Sequence, residues 1–435
     1  MKIETVTVIG ANGNVGCKMG GLIAAFSGAT VYMMARSMES AAAGIERALK
    51  SIKSGTIESR LIPCTFDDAQ EVLAKSDWVF ESVVEDFLVK SSVNKMIDKY
   101  VSDECIVSTG TSGISIDELS KVFSVSHQKN YFGTHFFNPP LKMTICEVIK
   151  SSNSDDAVVD EFEKYLRNIL GRVIVLTGDF AAFAGNRIGF RLFEKAVSLV
   201  EREAENGGID YVDYILGNTT GNTMAPLSTL DFVGLDVYAS IVQNINEKLY
   251  PSSHKNIAGF IRQLIHNDFC GVKKSKGLYD YSQKVDGLNM VWDLREGKYK
   301  KSVPYNIPVV EEIKEMIRLG RYDHVVPALI NKKSRVSKII LEYLISYLVF
   351  SCELVPSVVK DVKDVDTVMM HGFAWAPPGF WISLFLKNIT IDEFFKIADE
   401  LHIKMNSDVI SIFKQLSFDE NAFKAGRRFF AVDGF

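Results

Sequence analysis

Hydrophobic and polar positions change period partway along the chain, and the change divides it. Near the start, VTVIG (Val6 to Gly10) is a short apolar run rich in β-branched residues; it ends at a glycine-rich turn and leads into CKMGGLIAAF, whose apolar positions suit a helix. ATVYMMA (29–35), SDWVFESV (76–83) and ECIVSTGT (104–111) are further short apolar runs, separated by stretches with helical spacing such as GIERALKSIKSG. Strands alternating with helices predict the α/β class, with an N-terminal Rossmann-type, doubly wound, mostly parallel sheet that takes ligands at the carboxyl ends of its strands. From about Asp155 onward the period becomes helical, as in DDAVVDEFEKYLRNILG and NRIGFRLFEKAVSLVEREAENGG, which predicts all-helical C-terminal domains.

The helical half carries an internal echo. The stretch 193–216 and the stretch 341–370 both run helix, loop, Val-Asp, helix, and each then reaches an Ala-Pro, at Ala225-Pro226 and Ala376-Pro377. Two related helical units are therefore expected. SQKVDGLNMVWDLREGKYKKSVPYN lies between them, polar and without a sustained period, and reads as a linker. The predicted organisation is 1–180, the sheet-bearing domain; 181–281, a first helical domain; 282–309, a linker; and 310–435, a second, degenerate helical domain.

Composition narrows the field of function. At 435 residues and 47% hydrophobic, the chain can bury more than one sizeable core. A net charge of −5 argues against nucleic acid or an anionic membrane as partner. The six cysteines lie far apart, without a CxxC pair or a Cys/His cluster, so no zinc site and a reducing, cytoplasmic setting are expected. The opening MKIETVTVIG reads as strand and turn and lacks the apolar core of a signal peptide, and no apolar run reaches the roughly 18 residues of a membrane helix.

Two stretches carry chemistry. In GANGNVG, glycines at Gly10, Gly13 and Gly16 permit a tight turn, close backbone approach to a pyrophosphate and packing of helix on strand, with the helix N-terminus facing the phosphates. The spacing is GxxGxxG, where GxGxxG is the commoner form, and its place between strand and helix is what a dinucleotide site requires. In THFFNPPLKMTICEV, an imidazole and a carboxylate stand in an apolar setting, twelve residues apart. A buried carboxylate is costly unless paired, so Glu147 is expected to hold His135, fixing its tautomer and raising its basicity as a general base needs.

STGTSGISIDEL, GTHFFNPP, CEVI and DFAAFAGNRIGF together resemble the successive motifs of the L-3-hydroxyacyl-CoA dehydrogenases, in order and at near-family spacing. The resemblance spans roughly residues 3–281, making 181–281 that family's C-terminal domain. Beyond it the chain is similar to the dehydrogenase part of long archaeal-type members, without the enoyl-CoA hydratase domain that often follows there. The resemblance implies His135 as catalytic base, Glu147 as the carboxylate that holds it, and Ser112 and Asn186 as groups that hydrogen-bond the reacting oxygen. It places Asn138, Glu85 and Lys90 on the nicotinamide-ribose side of the cofactor. It implies an oxidoreductase of fatty acid metabolism, acting in β-oxidation on an acyl-CoA substrate with NAD or NADP. The chain is then a monomer or homodimer, for which a separate enoyl-CoA hydratase is an admissible partner.

The chain departs from the family at informative places. Gly110 stands before the Thr-Ser pair where Asn is usual, and the segment around 51–63 is short where fatty-acid members carry an insert that touches coenzyme A. In NAD-specific members the second strand ends in an acidic residue; here TVYMMARS puts Ala35 there, followed by Arg36 and Ser37. Arg36 is placed to clamp a 2′-phosphate, with Ser37 adding a hydrogen bond, so NADP acceptance is expected, with NAD shared. Two other readings stay open: a same-fold dehydrogenase of a free hydroxy acid, and a non-catalytic, CoA-thioester-binding subunit of a hydratase complex.

Overall fold

The computed structural model describes residues 1–53, 55–249, 257–417 and 419–427. The chain divides into two compact units, Met1–Ala184 with Ser357–Lys360, and Gly185–Pro356 with Asp361–Phe435.

The first unit is built on an eight-stranded sheet: β1 (Thr5–Ile9), β2 (Thr30–Ala35), β3 (Leu61–Thr65), β4 (Trp78–Glu81), β5 (Ile106–Thr109), β6 (Tyr131–Phe136), β7 (Ile145–Lys150) and β8 (Val173–Thr177). Their spatial order is β3-β2-β1-β4-β5-β6-β7-β8. All neighbours run parallel except β6 and β7. The chain therefore reverses its strand order between β1 and β4, where doubly wound sheets open a crevice for ligands. The apolar runs are buried on both faces, as a parallel sheet covered by helices demands. Helices α1 (Asn14–Phe26), α2 (Met38–Ile52) and α3 (Phe87–Tyr100) follow β1, β2 and β4. Around Trp78, Phe132 and Phe162 the core on one face closes through tilted and edge-on rings. Pro63 is tolerated in β3 because that strand is the sheet's edge.

The second unit is largely helical, and its longest helices in the described residues are α4 (Gly185–Arg202) and α6 (Arg335–Cys352), which pack on each other. Between them in sequence lies the short helix α5 (Pro226–Val233), and after them α7 (Pro378–Asn388). The segment 282–309, expected as an irregular linker, is corrected by the structure: β9 (Tyr279–Val285), β10 (Leu288–Asp293) and β11 (Lys298–Lys301) form an antiparallel sheet that occupies most of it. The physical reason is that Ser282, Gln283 and Lys284 run exposed along β9 and β11 reads KYKK, so little apolar alternation shows. The overlooked signal is Asp286-Gly287, both at positive φ, the two-residue turn between paired Val285 and Leu288.

Candidate active site

Antiparallel pairing of β6 with β7 converts the twelve-residue separation of His135 and Glu147 into direct opposition. Side chains opposite each other share a face, so the strand register alone brings imidazole to carboxylate. His135 Nδ1 lies 2.6 Å from Glu147 Oε2, and the two residues are 4% and 0% exposed. The other carboxylate oxygen, Oε1, accepts from the Ala184 backbone N–H at 3.0 Å. Phe137 stands edge-on to the imidazole at 4.7 Å between ring centroids, and Phe183 lies at 5.6 Å. These rings exclude water and strengthen the pair's attraction.

The glycine turn has the form a dinucleotide needs. Gly10 adopts φ +81°, and a Cβ there would lie 2.4 Å from the Ser82 carbonyl oxygen; one at Gly16 would lie 2.4 Å from the Gly10 carbonyl oxygen. Gly13 N–H donates back to Gly10 at 2.9 Å, closing the turn. Gly13 is also the N-cap of α1, where no side chain caps the helix and no acidic residue occupies the first turn. Backbone N–H groups and the positive end of the helix dipole thus face the turn without a protein anion to absorb them, which fits a pyrophosphate.

At the carboxyl ends of β4 and β5 two hydrogen-bonded groups of side chains meet through an ion pair. Glu81 Oε1 and Oε2 accept from Lys90 Nζ at 2.9 and 3.1 Å, and Glu81 Oε2 also accepts from Thr109 Oγ1 at 2.6 Å. Lys90 Nζ reaches on to Glu85 Oε2 at 3.6 Å. Glu85 Oε1 accepts from Thr111 Oγ1 at 2.5 Å and from Ser112 N–H at 2.8 Å. Asn138 lies two residues beyond the end of β6, and its amide oxygen accepts from Lys18 Nζ, on α1, at 2.9 Å.

Sequence reasoning missed Glu81, Lys18 and Asp179. Asp179 accepts from Ser115 Oγ and from the N–H groups of Ile116 and Asp117, and so anchors the loop that carries Ser112. A carboxylate inside an apolar run was the signal that exposed Glu147, and WVFES and VLTGDF carry the same signal. Lys18 has no such cue. Arg36 is exposed at the end of β2, while Ser37 is the N-cap of α2, its hydroxyl accepting from Ser40 N–H. Ser37 thus has a structural task of its own. Asn186 belongs to the second unit, buried in the first turn of α4. Among the described residues, no group of His, Cys, Asp and Glu side chains converges as metal ligands, and no helix is long and apolar enough to cross a membrane.

The sheet order, the glycine turn and the uncapped helix end define a dinucleotide-binding fold, and the comparisons make the family specific. The family pattern described as 3-hydroxyacyl-CoA dehydrogenase, NAD binding domain, matches residues 5–180, and that family's C-terminal domain matches 183–281. The chain belongs to the 3-hydroxyacyl-CoA dehydrogenase family. A probable 3-hydroxyacyl-CoA dehydrogenase of Bacillus subtilis is 27% identical over 340 residues, 76% of this chain. The chain spans only 41% of that relative's length. A probable 3-hydroxybutyryl-CoA dehydrogenase of the same organism is 27% identical, over 66% of this chain and all of its own length. The crystal structure of 3-hydroxybutyryl-CoA dehydrogenase from Escherichia coli K12 shares the fold with a TM-score of 0.70 at 18% identity, covering 94% of this chain and 98% of that one. The matched domain supports NAD as cofactor.

Proposed function

We propose that the protein interconverts (S)-3-hydroxyacyl-CoA and 3-oxoacyl-CoA with a nicotinamide cofactor. The observation that carries this reading is the buried His135–Glu147 pair, at 2.6 Å on adjacent strands of a dinucleotide-binding sheet. A nicotinamide cofactor held there would supply the hydride acceptor for C3 of the alcohol, or the hydride donor for the ketone. Nδ1–H of His135 donates to Glu147, which leaves Nε2 as the atom that takes the hydroxyl proton. Glu147 stabilises the imidazolium that results, and the Ala184 N–H keeps that carboxylate aimed. In the reverse direction the protonated ring returns the proton to the forming alkoxide. Ser112 is proposed to hold the reacting oxygen, Asn138, Glu85 and Lys90 to line the nicotinamide-ribose side, and the turn Gly10–Gly16 to cradle the pyrophosphate.

The test uses purified protein, acetoacetyl-CoA or free acetoacetate, and NADH or NADPH, following loss of reduced-nicotinamide absorbance. Turnover with the thioester and little with the free acid is expected. Preference for the free acid would make the protein a hydroxy-acid dehydrogenase; tight thioester binding without turnover would make it a binding subunit.

A further inference from the structure

Lys90 is 1% exposed and Glu81 is fully buried, so this ion pair was taken out of water at considerable cost. Replacing such a pair with apolar residues is often neutral for stability or better, so its presence invites another account. Its surroundings supply one. Glu81 is satisfied three times over, by Lys90, by Thr109 Oγ1 and by Val83 N–H at 2.7 Å, and it ends β4 at the ligand-bearing edge of the sheet. Lys90 is shared unequally, close to Glu81 and 3.6 Å from the partly exposed Glu85. Taken as carboxylate, ammonium and carboxylate, the three carry one net negative charge. Without Glu81, Lys90 would neutralise Glu85 and the array would carry none.

We propose that Glu81 is a positioning residue that holds Lys90 away from full pairing with Glu85, keeping the array net negative so that the oxidised cofactor is held more tightly, relative to the reduced one, than a neutral array would hold it. The inference rests on the reading of Glu85 and Lys90 as the nicotinamide-ribose side. The nicotinamide ring is cationic when oxidised and neutral when reduced. A fixed negative charge therefore acts on one redox form and leaves the other nearly untouched. Because Glu81 and Lys90 are hydrogen-bonded and buried, their charges are screened less than surface charge.

Variants that step the array's charge test this. Glu81→Gln brings it to zero, and Glu81→Gln combined with Lys90→Met restores one negative charge, on Glu85. Dissociation constants for NAD⁺ and NADH are measured calorimetrically on the full chain, beside circular dichroism of the unliganded protein. For Glu81→Gln the ratio of NADH to NAD⁺ affinity is expected to rise about tenfold, the scale of a unit charge acting over roughly 10 Å at an effective dielectric constant of about 20. The double variant should return it near wild type. If Glu81→Gln fails to fold, Glu85→Gln decides, because it leaves Glu81 paired with Lys90 and also brings the array to zero, so the same rise in the ratio is expected. A ratio that stays constant across the folded variants, or affinities for both forms that fall together, would overturn the proposal. Failure of wild type to bind either nucleotide would instead overturn the functional reading beneath it.

Discussion

His135 and Glu147 work as a pair because each removes the other's cost: the imidazole partners a fully buried carboxylate, and the carboxylate fixes which ring nitrogen faces the reaction. His135→Ala is expected to lower kcat by about 10²–10⁴-fold, roughly 3–5 kcal/mol of barrier, while the dissociation constant for NADH stays near wild type. Glu147→Gln should cost less, because the amide oxygen can still accept from Ala184 N–H; stopped-flow turnover and nucleotide titration separate the two effects. At the end of β2, Arg36 has no carboxylate beside it to repel a 2′-phosphate. Arg36→Ala is expected to lower kcat/KM for NADPH relative to NADH, and an unchanged ratio would show that Arg36 does not read that phosphate. This pair was legible in the sequence because a charge in an apolar run demands a partner. Glu81 carries the same cue, but its ammonium partner, nine residues on, stands at what reads as a solvated helix start, and only the fold shows Lys90 turned inward.

Among elements, the closest correspondence in the second unit joins the two helices that begin at an Ala-Pro. Asp213 accepts from the N–H groups of Leu227 and Ser228 at the start of α5, and Asp366 accepts from Gly379 N–H at the start of α7. The connecting segments meet: Asn222 pairs antiparallel with Trp375, and Ala376 N–H donates to Gly221. We read this as a duplicated unit, in which each aspartate caps the helix that follows it. Burial pushes Asp213 up to about 6 and Asp366 to about 7. An acid whose folded pKa exceeds its unfolded value adds stability below the unfolded value and loses it as pH rises through the folded one. Asp366→Asn keeps an acceptor for Gly379 without the charge. The variant's melting temperature relative to wild type should therefore rise between about pH 5 and pH 8, and a constant difference would contradict the assignment. The Val-Asp and Ala-Pro echoes were visible in the sequence; the three-stranded sheet between the repeats was not, because its strands offer polar faces, and its Asp-Gly turn was the cue passed over.

For the whole molecule, the alternation of short apolar runs with helical stretches foretold the doubly wound sheet. The Pro63-bearing edge strand and β8 left weaker traces, one broken by proline and the other lying inside a stretch of helical period. In the second unit, α6 covers α4: Glu342 bridges Lys195 and Arg202, at 2.5 and 2.8 Å, and Trp375 stands edge-on to Phe193 at 5.8 Å. Deleting residues from 310 onward uncovers that apolar face, so the truncated chain should aggregate or acquire a new dimer contact in light scattering. A truncated chain that stays a stable monomer would refute the covering role. In the proposed reaction a hydride passes directly to C3 of an acyl-CoA while His135 manages the proton. Reducing acetoacetyl-CoA with NADH deuterated at C4 of its nicotinamide, on the transferring face, and locating the label by mass spectrometry tests it most directly. One deuterium at C3 of (S)-3-hydroxybutyryl-CoA, formed far more slowly by His135→Ala, is the expected result; unlabelled product, or equal rates in wild type and variant, would contradict it.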